Sequence, residues 1–245
     1  MSWLINKEEW NSLYSEIKRR IPQLNFSRDQ QAADLLSEII SSTGRGLELP
    51  EFLEAIRGRE NAVVVGCAEG AYGEAAEYLA QQCRDKVLVV AADGATRILL
   101  ELGVTPDLVV TDLDGDMGAL LSASEKGAIT VIHAHGDNIN YLQSTRLFQG
   151  RIVGSTQVEP RPWVHNFGGF TDGDRALFIL YHAGYRRIHL AGFNLDKPSV
   201  CPGKVGGDPV VKGAKLSIAR LLFSYLESKG VKLLSIGDRR GGPGR

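Results

Sequence analysis

Three acids spaced two apart follow an apolar run in Thr105-Pro106-Asp107-Leu108-Val109-Val110-Thr111-Asp112-Leu113-Asp114-Gly115-Asp116. Carboxylates at the C-terminal end of a strand in an α/β sheet lie where such sheets bind ligands. Three of them within five residues repel one another unless water or a cation screens them, and Mg²⁺ is the usual cation for hard oxygen donors. A solvated acidic loop would look the same in isolation. Elsewhere, however, Ala92-Asp93-Gly94-Ala95 again ends an apolar run in an acid and a glycine. Gly168-Gly169-Phe170-Thr171-Asp172-Gly173-Asp174 repeats the Thr-Asp pair of 111–112, each pair followed by another acid two residues later. Helix capping accounts for Thr171 and Asp172 singly, but not for the recurrence.

Four further stretches bear on function. Gly66, Gly70 and Gly73 form a G-x-x-x-G-x-x-G turn between an apolar run and a helical one. Such a turn lets backbone N–H groups hold phosphate. Asp93 then falls about where a dinucleotide fold places its ribose-binding acid, which leaves a Rossmann module binding a dinucleotide or S-adenosylmethionine as an alternative. His133-Ala134-His135-Gly136-Asp137-Asn138 is similar to part of the H-x-H-x-D-H signature of metal-dependent hydrolases, with Asn138 where the second-metal His belongs. That incomplete ligand set makes a zinc hydrolase the lesser alternative. Gly192-Phe193-Asn194 ends another apolar run, and Phe193 could stack on a flat heterocycle. The proline- and glycine-rich stretch 195–211 has the composition of a lid.

Ala92-Asp93-Gly94-Ala95, Pro106 to Asp114, and Phe170 to Leu177 resemble, in order, the thiamine pyrophosphokinase motifs ADGGAN, PDxIxGDFDS and DxTDxxKAL. Over residues 60–236 the chain looks more like a sister group, the archaeal-type 6-hydroxymethyl-7,8-dihydropterin pyrophosphokinases (the MptE-like family). Similarities to that group include the extra N-terminal helices, His133 to Asn138, Leu190 to Asn194 and a late Lys-rich helix start. Thr111 stands in place of the kinase Gly and Gly115 in place of Ser, departures that argue against thiamine as acceptor. The resemblance implies transfer of a diphosphoryl group from ATP to the hydroxymethyl group of 6-hydroxymethyl-7,8-dihydropterin. AMP is released, in tetrahydromethanopterin or folate synthesis. Attack at the β-phosphorus then needs Mg²⁺ to screen the triphosphate and fix the in-line path. Asp112 and Asp114 are the implied first ligands, with Asp93 and Asp172 close behind. Asp116 either ligates or starts a helix. Arg97, Arg175, Lys212 and Lys215 are the cations available to phosphate oxygens, and Lys212 and Lys215 lie one helical turn apart. Gly66, Gly70 and Gly94, with His133, His135 and Asn138, are expected around the nucleotide or the acceptor. Related kinases are often dimers, so the resemblance leaves room for a homodimer.

These residues need a scaffold. Strand-like runs over 62–67, 86–92, 107–111, 128–134, 151–154, 187–191 and 231–236 alternate with helical patterns over 70–82, 95–102, 116–125, 138–147, 172–182 and 212–229. Short Val/Ile/Leu runs separated by helices mean a mainly parallel sheet covered on both faces. Right-handed crossovers give a Rossmann-like α/β layout, like the thiamine pyrophosphokinase catalytic domain. Before it, 7–20, 27–42 and 51–57 carry helical spacing, with Ser27 as a candidate cap. We divide the chain into an N-terminal helical subdomain over 1–58, a catalytic α/β domain over 59–237 and a mobile tail over 238–245.

Bulk properties narrow the function classes. The 245 residues are 43% hydrophobic and 23% charged, with a net charge of −1. Nothing there suggests a general affinity for nucleic acid or an anionic membrane. There is no apolar run long enough to span a bilayer and no secretory signal core, so a cytoplasmic protein is expected. Cys67, Cys83 and Cys201 form no C-x-x-C pair and read as buried small hydrophobes.

Overall fold

The computed structural model describes residues 2–197, 201 and 209–237. The tail over 238–245 and most of the lid candidate over 195–211 lie outside the described residues.

Eight strands form one sheet: β1 (Asn61–Val65), β2 (Val87–Ala92), β3 (Leu108–Thr111), β4 (Ile129–Ala134), β5 (Ile152–Thr156), β6 (Val164–His165), β7 (Arg187–Ala191) and β8 (Lys232–Ser235). Their order is β6-β5-β4-β3-β2-β1-β7-β8. Each neighbouring pair is parallel, so every strand ends on the same edge. The apolar runs are continuous because both faces are covered. Ala62, Val64, Leu88 and Val90 point into one core; Val63, Val65, Val89 and Ala91 point into the other.

The helices are α1 (Lys7–Arg20), α2 (Phe26–Thr43), α3 (Leu49–Ile56), α4 (Ala71–Ala80), α5 (Ala95–Glu101), α6 (Met117–Glu125), α7 (Asp172–His182) and α8 (Pro209–Ser228). The N-terminal three divide between the faces. Trp10 and Ile17 of α1 and Phe52 and Ile56 of α3 join the core made by α7 and α8. Ala32, Leu36, Ile39 and Ile40 of α2 join the core of α4, α5 and α6 on the opposite side.

Chain order runs outward from β1 to β6 across six of the eight strands, then returns to place β7 on the other flank of β1. The C-terminal ends of β1 and β7 are therefore a topological switch point, where open α/β sheets take ligands.

Two local expectations change. Asn25 rather than Ser27 caps α2, its side chain accepting from the Arg28 N–H, while Ser27 lies inside the helix. The helix expected over 138–147 is a 3₁₀ turn, Leu142–Leu147. Asn138 ahead of it is spent on backbone groups (below), which competes with helix initiation. Strand β6 has only two residues. It follows Trp163, whose φ is +66°, and is too short to show a period.

Candidate active site

Three carboxylates converge from three chain segments. Asp93 follows β2 in a left-handed conformation, φ +42°, and its N–H donates to Val110 O at 2.8 Å. Asp112 follows β3. Asp172 opens α7, whose dipole favours an acid there. One oxygen from each of Asp93, Asp112 and Asp172 lies within 4.8 Å of the others. Among the described residues this is the one group of three or more His, Cys, Asp or Glu side chains so placed. Asp114 is exposed and outside that group. Asp116 caps α6, accepting from the Ala119 N–H at 3.2 Å. It also pairs with Arg97 at 3.3 Å, while Arg97 Nε reaches Glu101 at 2.9 Å. The structure thus gathers three of the predicted acids and sets Asp114, Asp116 and exposed Arg97 beside them.

Arg175 sits beneath this cluster, fully buried. Gly168 and Gly169, with φ +84° and +85°, bring the chain against it; a Cβ at Gly169 would lie 2.7 Å from the Arg175 nitrogen. Arg175 donates to Ser155 Oγ, Gly168 O and Phe170 O at 3.2–3.3 Å. It also donates to His133 Nε2 at 3.0 Å. Burial lowers the guanidinium pKa to about 10, against the opposing charges of Asp174, Asp172 and Asp112. It therefore stays charged at neutral pH. The Thr-Asp recurrence separates here: Asp172 enters the carboxylate group, whereas Asp174 closes a capping box with Thr171.

Burial, then the adjacent Arg175 charge, holds the His133 pKa well below the ordinary histidine value. Its Nε2 accepts from Arg175, so the neutral ring carries its proton on Nδ1. That nitrogen is not open to zinc. His135 stacks on His133 with ring centroids 5.5 Å apart, and its Nε2 lies 3.6 Å from Asp112 Oδ2. Asn138 donates to Asp112 O and His133 O, both at 2.7 Å, and accepts from the His135 N–H at 3.1 Å. It ties the β4 loop to the β3 loop.

Beside the carboxylates a cavity of about 240 Å³ opens at the β1/β7 switch point. Lys212, Lys215, Leu216, Ala219 and Phe223 of α8 line it, with Phe193 and Asn194 after β7, Gly66 and Cys67 after β1, and Asp93 and Asp172. The α8 positions follow helical spacing, so the apolar members could have been found from sequence. The N–H groups of Gly66 and Ala68 are committed to Ala191 O and Gly192 O at 2.8 Å each. This turn therefore closes the β1/β7 seam, while Gly70 is exposed with φ +89°. The cysteine expectation is overturned. Cys67 and Cys201 are disulfide-bonded in the cavity wall, and Cys83 is free and exposed. Strand β1 stops at Val65, which puts Cys67 in the turn instead of the core, where the segment after β7 meets it.

The sequence model of the family described as 6-hydroxymethylpterin diphosphokinase MptE-like matches residues 37–199. The chain belongs to this MptE-like family. Three curated relatives are each named 6-hydroxymethyl-7,8-dihydropterin pyrophosphokinase. The one from Pyrococcus furiosus is 37% identical over 94% of this chain and 96% of its own. That from Methanothermobacter thermautotrophicus is 42% identical over 60% of this chain and 66% of its own. That from Methanocaldococcus jannaschii is 31% identical over 92% and 97%. A solved structure, the MAf glycosyltransferase of Magnetospirillum magneticum, is a distant likeness: 17% identity, TM-score 0.40, covering 72% of this chain and 29% of that one.

One residue that holds the β4 loop of this MptE-like chain has no distinct signal in the sequence. Asp29 of α2 is buried and accepts from the Gly136 N–H and Gln157 Nε2, each at 2.8 Å, and from Tyr14 Oη at 3.1 Å. Arg28 donates to Gly136 O at 3.0 Å, so α2 grips both sides of Gly136 in the β4 loop. An acid in the first turn of a helix reads as dipole compensation, which hides such a role.

Proposed function

We propose that this chain transfers a diphosphoryl group from ATP to the hydroxymethyl oxygen of 6-hydroxymethyl-7,8-dihydropterin. The hydroxymethyl oxygen bonds to the β-phosphorus, the bond from that phosphorus to the α–β bridging oxygen breaks, and AMP leaves with that oxygen. The hydroxyl proton passes to solvent. The observation that carries this reading is the convergence of Asp93, Asp112 and Asp172 within 4.8 Å, beside a cavity with two lysines and an aromatic wall, in a chain of a diphosphokinase family.

The donor set suits a hard divalent cation, with one oxygen from each of three carboxylates. Asp93, Asp112 and Asp172 would hold Mg²⁺, with Asp114 within reach of the same loop. The ion supplies screening of the triphosphate charge. Lys212 and Lys215 face the phosphates across the cavity, and Phe193 offers a ring face to the flat acceptor. Arg175 is buried behind the acids, so its part is counter-charge rather than phosphate contact. We place the reaction in tetrahydromethanopterin or folate synthesis, in the cytoplasm, with a homodimer as the form to test.

The test is to incubate protein, ATP and Mg²⁺ with 6-hydroxymethyl-7,8-dihydropterin or with thiamine and separate the nucleotides. AMP with the pterin alone is the expected result. AMP with thiamine alone would move the acceptor, and ADP as product would overturn diphosphoryl transfer.

A further inference from the structure

Asp93 is constrained by two residues outside the set of three acids. Thr111 is fully buried. Its Oγ1 donates to Asp93 Oδ1 at 2.6 Å and accepts from the Leu113 N–H at 2.9 Å. One hydroxyl thus fixes the carboxylate after β2 and the backbone that carries Asp112 and Asp114. Leu113 itself is left-handed, φ +69°, a conformation that costs a branched residue energy and persists where the surroundings enforce it. From the other side, Gly115 borders the same carboxylate. A Cβ at 115 would meet Asp93 Oδ2 first and would lie 2.6 Å from Oδ1 and 2.7 Å from Cγ, closer than real Cβ contacts come. The carboxylate thus rests against the 115 backbone with no room to turn that way.

We infer that Thr111 and Gly115 act together as positioning residues for Asp93, the hydroxyl pulling its carboxylate onto the β3 loop and the missing Cβ leaving the space it occupies. Thr111 orients the Asp93 carboxylate through a short hydrogen bond to Oδ1. Partners that orient a ligand from behind are typically worth about 10–100-fold in metal affinity. The inference rests on the metal reading above, and its test separates the two.

The measurement is Mn²⁺ binding to the full chain without substrate, by calorimetry or by loss of the free-ion EPR signal, on protein whose thermal unfolding is checked first. Thr111→Val keeps the shape and removes the hydroxyl; binding should weaken about 10–100-fold. Thr111→Ser restores the hydroxyl and should bind within about threefold of the parent, which a purely space-filling role for Thr111 does not predict. Gly115→Ala should weaken binding as Thr111→Val does, and in the enzyme both should raise the Mg²⁺ requirement more than the acceptor KM. Folded Thr111→Val and Gly115→Ala proteins that bind Mn²⁺ like the parent would overturn the inference while leaving the metal site standing. A parent that binds no Mn²⁺ would overturn the metal reading itself, and the inference with it. If Thr111→Val does not fold, the Ser and Ala variants decide: Ser as weak as Ala, or Ala as tight as the parent, overturns it.

Discussion

At the residue scale the site is an electrostatic compromise. Three carboxylates with oxygens within 4.8 Å of one another repel, and one fully buried guanidinium beneath them offsets part of that repulsion. Such sites trade stability for function. Asp112→Asn keeps the shape and an acceptor for the Asp114 N–H, now 3.3 Å from Asp112 Oδ1, but removes one negative charge. We expect it to lower kcat/KM on the order of 100-fold or more, since losing a ligand exceeds losing its support. The metal-free protein should melt about 2–4 °C higher, the shift that about 1 kcal/mol of relieved repulsion gives at this size. Differential scanning calorimetry in chelator decides it; a lower Tm would mean that the three acids do not strain the apo fold. Arg175 behaves oppositely. Arg175→Met leaves four acceptors, His133 Nε2 among them, without their donor, and should cost about 3–5 kcal/mol, read as a lower urea midpoint.

At the scale of elements, each acid is delivered by a strand end or a helix start. The sequence shows this because parallel strands buried on both faces leave apolar runs that stop abruptly at polar residues. Asp93 and Asp112 were legible for that reason, and Asp172 from its place in the first turn of α7. What was not legible depends on contacts far apart in the chain. The Cys67–Cys201 disulfide joins residues separated by 134 positions. Strand β6 exists through pairing with β5 rather than through any pattern of its own. The part played by α2 is of this kind too, because Asp29 meets Gly136 only once α2 packs on the sheet. Asp29→Ala would leave the Gly136 N–H, Gln157 Nε2 and Tyr14 Oη without a buried acceptor. A hydrogen bond to a charged group is worth about 1.5–3 kcal/mol, so the urea midpoint should fall by the equivalent of about 3 kcal/mol or more with an unchanged m value. The His135–Asn138 loop should then exchange its amide hydrogens faster, and faster exchange confined to α2 would sever the link from α2 to that loop.

At the scale of the whole molecule, all eight strands ending on one edge gives the fold a chemical face. The cores on both sides of the sheet must then hold it rigid, with α1 and α3 closing one and α2 the other. Beside Phe167 of one core lie two histidines, His165 buried and His182 half-buried. His165 of β6 is buried with neither ring nitrogen hydrogen-bonded, and burial lowers its pKa to about 4. His182 of α7, its Nε2 2.9 Å from Phe167 O, is likewise lowered to about 4 by burial. In the unfolded chain both return to about 6.5. Above that pH neither state takes up protons, and these groups cost nothing. Between pH 6.5 and 4 the unfolded chain binds protons that the folded chain refuses, so stability falls as the pH drops through that window. At pH 5 His165 alone should account for about 2 kcal/mol of the loss. Urea titrations at pH 7 and pH 5 on the parent and on His165→Leu test this directly. The parent should lose more stability between the two than the variant does, by about that amount. Equal losses would mean that His165 gains protons in the folded protein as readily as in the unfolded one, and that the core around β6 admits water.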